Sequence, residues 1–287
     1  MKIISYKAKQ DSIVIAPFGD LQYGNEACSL KSAKKYLEFA KEVSKRFRCE
    51  LKFLGTGDYI DLMSPSNRER YKASGIYASS RRLIEGRATM PLMRELRDFL
   101  KPYMGAVKGE SRTIALCQGH HYMLLENGGA KSSDGSRHFH TDTWLGAELG
   151  MQPDNFVEAA AIVKIEFPNG RVYRIHITHG QGNSSATGTY GLNKLSRQSN
   201  SWEAIDCFVM GHTHRAGVSA IVQLRERDGD LVSRQTPLLT SGAFMKSYLT
   251  DQINYPEAQQ LGGVALGGIV LYLRAEDVML QAPIALF

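Results

Sequence analysis

Five short apolar runs in this chain end beside a glycine and an aspartate or a histidine. The runs are residues 12–16, 50–54, 112–117, 171–178 and 205–210. Their endings are Asp20-Leu21-Gln22, Gly57-Asp58-Tyr59-Ile60-Asp61, Gly119-His120-His121, His179-Gly180 and Gly211-His212-Thr213-His214. Apolar runs of this length, bounded by turn residues, read as buried strands. In open α/β sheets, sites form at the carboxyl ends of strands. The repeated endings therefore predict several loops converging on one site, each glycine letting the backbone turn sharply beside its polar neighbour. In the last ending the two histidines stand at i and i+2. In extended backbone such residues point the same way, so His212 and His214 are expected to leave side by side. All eight histidines lie between His120 and His214, which favours a site over a scatter of solvated side chains.

The rest of the chain fits one domain of alternating strand and helix over residues 1–287, with a strand-rich second half. Helical periodicity covers 29–47, with Tyr36, Leu37, Ala40 and Val43 on one stripe. Further helices are expected over 90–103, with Pro91 near its start, over 142–149, capped by Asp142, and over 187–199. Pro168-Asn169-Gly170 between the runs 159–167 and 171–178 predicts a hairpin, and Asp228-Gly229 predicts another between 218–224 and 231–238. A last strand is expected over 264–273. No apolar run approaches a membrane span, and the residues after Met1 lack the apolar core of a secretion signal. Four scattered cysteines read as reduced thiols of a cytoplasmic protein.

In this order, the five endings resemble the calcineurin-like metallophosphoesterase family. Its pattern is Asp-x-His, Gly-Asp-x-x-Asp, Gly-Asn-His-Glu/Asp, His and Gly-His-x-His. The resemblance runs from about Phe18 to His214. It implies a four-layer α/β fold, two stacked mixed β-sheets flanked by helices, with two divalent metal ions in loops at one edge. Carried over by position, it implies Asp20, Gln22, Asp58 and His214 for the first metal. Asp58, bridging, His120, His179 and His212 would hold the second. Gln22 stands where the family has histidine, and His120 where it has asparagine. Two registers are open at residues 119–121. One makes His121 the catalytic histidine and His120 a ligand. The other places Gly119 on the asparagine and His120 on the catalytic position. The first keeps both the glycine and a ligand-capable side chain, and is preferred here.

With Gln22 the first site is oxygen-rich, and with His120 the second is nitrogen-rich. Oxygen ligands suit manganese or magnesium, whereas imidazole suits zinc, iron or nickel. Manganese is the first expectation. Two cations roughly 3.5–4 Å apart acidify a bridging hydroxide and neutralise the charge of in-line attack on a phosphate ester. His121 would protonate the leaving alkoxide, with Asp61 orienting it. The expected substrate is a phosphodiester, in a nucleic acid or nucleotide, ahead of a phosphomonoester. The formal net charge of +6 suits such a partner. So does the stretch 64–86 with Arg87 directly after it, where Arg68, Arg70, Lys72, Arg81, Arg82 and Arg87 are interleaved with Tyr71 and Tyr77. The competing class is a non-catalytic scaffold that binds a protein partner, for which Gln22 and His120 speak. Outside the motifs, His176 is expected on a sheet face, and His138 and His140 in solvent.

Overall fold

The computed structural model describes residues 1–61, 78–125, 129–181, 189–202, 204–227, 230–247 and 265–275. Strands β1 (Lys2–Lys7) and β2 (Ser12–Gly19) lead into helix α1 (Leu30–Phe47), and β3 (Glu50–Gly57) precedes α2 (Ala78–Met104). After β4 (Thr113–Cys117) come a small hairpin of β5 (Ala130–Lys131) and β6 (Arg137–His138), helix α3 (Thr141–Glu148) and β7 (Phe156–Val157). The second half carries β8 (Ala160–Glu166), β9 (Val172–Thr178), α4 (Tyr190–Ser199) and β10 (Cys207–Met210). It ends with β11 (Ala216–Arg227), β12 (Asp230–Ala243), β13 (Gly267–Gly268) and β14 (Leu271–Arg274).

These elements form a mixed α/β structure with two mixed sheets and few helices. One sheet has the order β14-β2-β3-β4-β7, with β14 antiparallel to four parallel strands. The other has the order β1-β8-β9-β10-β12-β11, with β13 on β12. In it β9, β10 and β12 run parallel, while the β8–β9 and β11–β12 pairs are antiparallel. Strand alternation explains how both faces of the first sheet are buried. Ile13 and Ile15 join Val163, Ile175, Ile177 and Val209 of the second sheet in one apolar cluster. Their neighbours Val14, Ala16 and Phe18 face the other way, into a cluster with Tyr36 and Leu37 of α1 and Leu96 of α2. On the second sheet, Phe208, Met210 and Leu238 meet Leu195 of α4.

Helix α1 follows its pattern closely. Ser29 caps it by accepting from the Ser32 amide, and Arg48 ends it in a left-handed conformation. Four expectations shift. Helix α2 begins at Ala78, so Pro91 lies inside it. The N-cap of α3 is His140, and Asp142 sits in the first turn. The last strand divides into β13 and β14, and its expected start at Val264 lies outside the described residues. His140 is half-buried against Tyr122 and Phe156 instead of solvated. The hairpin at Asn169-Gly170 is present, with Gly170 left-handed at φ 84° and its amide donating to the Phe167 carbonyl. Asp228-Gly229, residues 182–188 and the basic residues Arg68, Arg70 and Lys72, with Tyr71 and Tyr77, lie outside the described residues. So do the side chains of Arg81, Arg82 and Arg87. Among the described residues no helix is long and apolar enough to cross a membrane.

One buried hydroxyl ties the helix layer to the sheet beneath the site. Tyr36 of α1 donates to the Pro17 carbonyl at 2.7 Å and lies 2.9 Å from that of Ile269. Tyr36→Phe leaves both carbonyls short of a donor and is expected to cost about 1–3 kcal/mol. Urea unfolding at equilibrium reads this as a lower midpoint with an unchanged slope.

Candidate metal centre

All five endings meet at one edge of the two sheets. β2, β3 and β4 are parallel neighbours, so Asp20, Asp58 and His120-His121 leave from the same edge. β9 and β10 are parallel neighbours in the other sheet and deliver His179 and His212. The loops after β2 and β3 are bonded to each other. The Asp20 amide donates to Gly57, that of Gln22 to Asp58, and that of Asp61 to Tyr23. Buried Leu21 and Ile60 anchor them from below.

The backbone does something the residue pattern did not predict. Asp20, Gln22, Asp58, His212 and His214 have φ of 47°, 49°, 55°, 67° and 55°. They account for five of the seven non-glycine residues with positive φ among those described. The left-handed conformation costs an L-residue about 1 kcal/mol or more. Here it sits on the ligand candidates themselves. The expectation of extended backbone at 212–214 is therefore corrected. His212 and His214 do not leave side by side, because left-handed turns at both send the imidazoles to different neighbours. The glycines also act differently than expected. Gly57, at φ 99°, does turn the chain, but a Cβ on it would lie 2.6 Å from His179 Nδ1. A Cβ on Gly119 would run into the Asp58 amide and Oδ1, and one on Gly211 would lie 2.8 Å from the Thr56 carbonyl oxygen. Their main service is room for close approach.

Asp58 is the hub, with a relative exposure of 1%. Its Oδ1 accepts from the amides of His120 at 2.5 Å and His121 at 2.9 Å. Its Oδ2 lies 3.2 Å from His179 Nε2 and 3.9 Å from His121 Nε2. Burial pushes the Asp58 carboxyl up, but the charges of His179 and His121 outweigh it and hold it well below the usual carboxylate range. Burial pulls His179 down, and Asp58 more than reverses this, raising its pKa to about 9.

His179 carries the sharpest sign of a cation site. Its Nδ1 lies 2.7 Å from the Thr56 carbonyl oxygen, an acceptor, so Nδ1 bears the hydrogen. Nε2 is thereby set as the outward-facing nitrogen. It is buried and makes no hydrogen bond among the described residues, despite its closeness to Asp58 Oδ2. Below about pH 9 this nitrogen carries a proton and pairs with Oδ2 as an ion pair; without the proton the two face each other as acceptors, as ligands of one cation would. A metal-ligating histidine commonly has its other nitrogen fixed in this way.

Around this point the side chains fall into two groups that share His179. One is His120, His179 and His212, and the other is Asp20, Asp58 and His179. In each, the potential ligand atoms all lie within 4.8 Å of one another. His120 Nδ1 and His212 Nδ1 are 3.2 Å apart. Burial first, then the neighbouring His179 and His212, lower the His120 pKa to about 4, so it is neutral at pH 7. Asp20 is fully buried; both of its oxygens accept from the His212 amide, and Oδ1 lies 3.4 Å from His214 Nε2. Gln22 Nε2 is 3.1 Å from the same His214 nitrogen.

His121 belongs to neither group. Its Nδ1 is 2.8 Å from Asp61 Oδ1, and Asn25 donates to Asp61 Oδ2 at 3.0 Å. Burial opposes its charge, but the Asp61 hydrogen bond and Asp58 raise its pKa. His120 thus stands among the imidazoles and His121 beside Asp61. His176, as expected, lies on a sheet face, buried against Phe208 and Trp202.

Three supporting residues escaped the sequence reading: Thr56, whose carbonyl fixes His179, Asn25, which holds Asp61, and Asp142. Asp142 is buried and its Oδ2 accepts from the Gly119 amide at 3.0 Å, bracing the loop that carries His120 and His121. Burial raises its pKa to about 6. Asn25 alone had a local signal, as a turn residue shortly after Gln22.

No family model matches the chain, and no curated protein matches it. Among solved structures it is similar to wild-type Vps29 from Entamoeba histolytica, crystallised with zinc. The two share 13% identity over 91% of this chain and 84% of that one, with a TM-score of 0.35.

A divalent cation that takes His179 Nε2 must displace the proton held there below about pH 9. Uptake of Mn²⁺ or Zn²⁺ at pH 7 is expected to release about one proton, since His120 is already neutral. Affinity should climb with pH towards 9 and then level. Titration calorimetry in two buffers of different ionisation enthalpy measures the release, which His179→Ala should remove.

Proposed function

We propose that this chain is a calcineurin-like metallophosphoesterase with that family's four-layer arrangement, and that it hydrolyses a phosphodiester using two divalent cations. The observation that carries the reading is His179 Nε2, buried, without a hydrogen bond, and aimed with Asp58 Oδ2 into a ring of imidazoles and carboxylates. The donor set fits the proposed metals. Asp20, Gln22, Asp58 and His214 would hold the first, and Asp58, His120, His179 and His212 the second. The oxygen-rich side suits manganese and the imidazole side suits iron or zinc. Bound there, two cations supply an activated water and neutralise phosphoryl charge.

The chain's own residues do the rest. Asp58 Oδ1 is occupied by the His120 and His121 amides, which leaves Oδ2 to face the centre. Asn25 fixes Asp61, and Asp61 takes the Nδ1 hydrogen of His121. That leaves His121 Nε2 pointing towards the centre, 3.9 Å from Asp58 Oδ2. Asp61 and Asp58 favour the protonated imidazole, the form that can give a proton to a leaving alkoxide. His121 is the acid, and Asp61 positions it.

A second reading, a metal-binding scaffold without turnover, has one contact in its favour. As placed, Gln22 directs its amide nitrogen to His214 Nε2, which occupies the lone pair that a first metal would need. Activity separates the two. With Mn²⁺, bis(p-nitrophenyl) phosphate is expected to turn over faster than p-nitrophenyl phosphate. His121→Ala should keep its metal content by elemental analysis and lose about 10²- to 10⁴-fold in kcat. Unchanged kcat removes the acid role, and no hydrolysis of mono-, di- or pyrophosphate esters by metal-replete protein favours the scaffold.

A further inference from the structure

A groove of about 630 Å³ opens beside the metal centre. Its lining joins His120 and His179 to Tyr122 and to Lys194, Arg197 and Gln198 of α4. The volume falls within the range of ligand sites and exceeds what one phosphoryl group needs. The helix places its side chains there for a simple reason. Leu195 is buried under α4 against Phe208, Met210 and Leu238, which fixes the helix's rotation on the sheet. Lys194, Arg197 and Gln198 stand at i, i+3 and i+4, so they share one face.

The charge of the lining is positive and poorly neutralised. Glu158 is its one carboxylate among the described residues. Lys194 donates to the Gln181 carbonyl, a neutral partner, and an ammonium has three donors. Arg197 meets no carboxylate among the described residues. Tyr122 is half-exposed, immediately after the proposed acid, with His140 against its ring at 5.4 Å between centroids. Two cations for a backbone phosphate and an aromatic face for a base make the combination by which single strands are held without sequence readout.

We propose that this groove seats the nucleotide next to the scissile phosphodiester, so that the substrate is a single-stranded polynucleotide. Its flanking phosphate lies on Lys194 and Arg197 and its base against Tyr122. This rests on the hydrolytic reading above, and the test keeps the two apart. The His121→Ala protein, loaded with Mn²⁺, is titrated with a fluorescein-labelled thymidine hexamer and followed by anisotropy. Adding Lys194→Ala and Arg197→Ala should weaken binding about tenfold or more. The slope of log affinity against log salt should become shallower by about 0.7, the value for one lost phosphate contact on a single strand. In the background with His121 intact, kcat/KM for the hexamer should fall about tenfold further than for bis(p-nitrophenyl) phosphate, mostly through KM. If the double variant melts early, Arg197→Gln alone replaces it, with weaker hexamer binding and a shallower slope expected in the same direction. No binding of the hexamer, or equal losses on the two substrates, overturns the subsite. Hexamer binding that depends on Lys194 and Arg197, in a protein inert on the small diester, upholds the subsite and overturns the hydrolytic reading instead.

Discussion

The Asp58 carboxylate holds the site together. A buried charge without partners is strongly unfavourable, and this one, at the end of β3, collects partners from the ends of two other strands. The two amides on Oδ1 bind the loop after β4 to the end of β3. The imidazole facing Oδ2 brings in the end of β9, from the other sheet. The same contacts that stabilise the charge therefore fix the relative positions of His120, His121 and His179. Removing the carboxylate would undo more than a ligand, since the backbone of the 119–121 loop would lose both of its amide bonds to Asp58 and keep its Asp142 brace at Gly119.

Close approach at this hub explains the unusual backbone. Asp20 and Asp58 directly follow strand ends, yet their side chains must turn back towards the opposite sheet. A left-handed conformation at the ligand itself achieves that, at a local cost of about 1 kcal/mol or more per residue. Asp and His tolerate it better than branched residues. The cost persists because the surroundings over-determine it. The Asp20 carbonyl accepts from Phe244, its amide donates to Gly57, and its carboxylate accepts from His212. Strain held in this way is a mark of preorganisation, and it is concentrated on the residues whose chemistry suggests a metal.

The strand ends were the legible part of the sequence. β2 is apolar without interruption from Ile13 to Phe18, so the glycine and Asp that follow stand out against it. The register at residues 119–121 was open because two adjacent histidines fit either alignment. Only the partners decide the geometry: His212 Nδ1 for His120 and Asp61 for His121. The local context of Asp142 suits a helix cap, whereas its bond to Gly119 spans 23 residues and leaves no local trace. Strand β1 went unread because it lies at a sheet edge, with only Ile4 fully buried and no clean alternation. Thr56 contributes a carbonyl, which any residue would supply, so its identity carries no signal at all.

The two sheets contribute different chemistry. The sheet containing β2, β3 and β4 supplies the carboxylates Asp20 and Asp58 together with the imidazole of His120, while β9 and β10 of the other supply imidazoles alone, His179 and His212. The protein contacts already cross that boundary, from His179 to the Thr56 carbonyl and from the His212 amide to Asp20. A cation held by both sets would clamp the apolar interface formed by Ile13, Ile15, Val163 and Ile177. Because it would bind only the folded chain, it would add stability by mass action, about 2.7 kcal/mol at a hundredfold excess over its Kd. Metal affinity and sheet packing are then one linked property: a substitution that loosens the interface weakens the centre without touching a ligand.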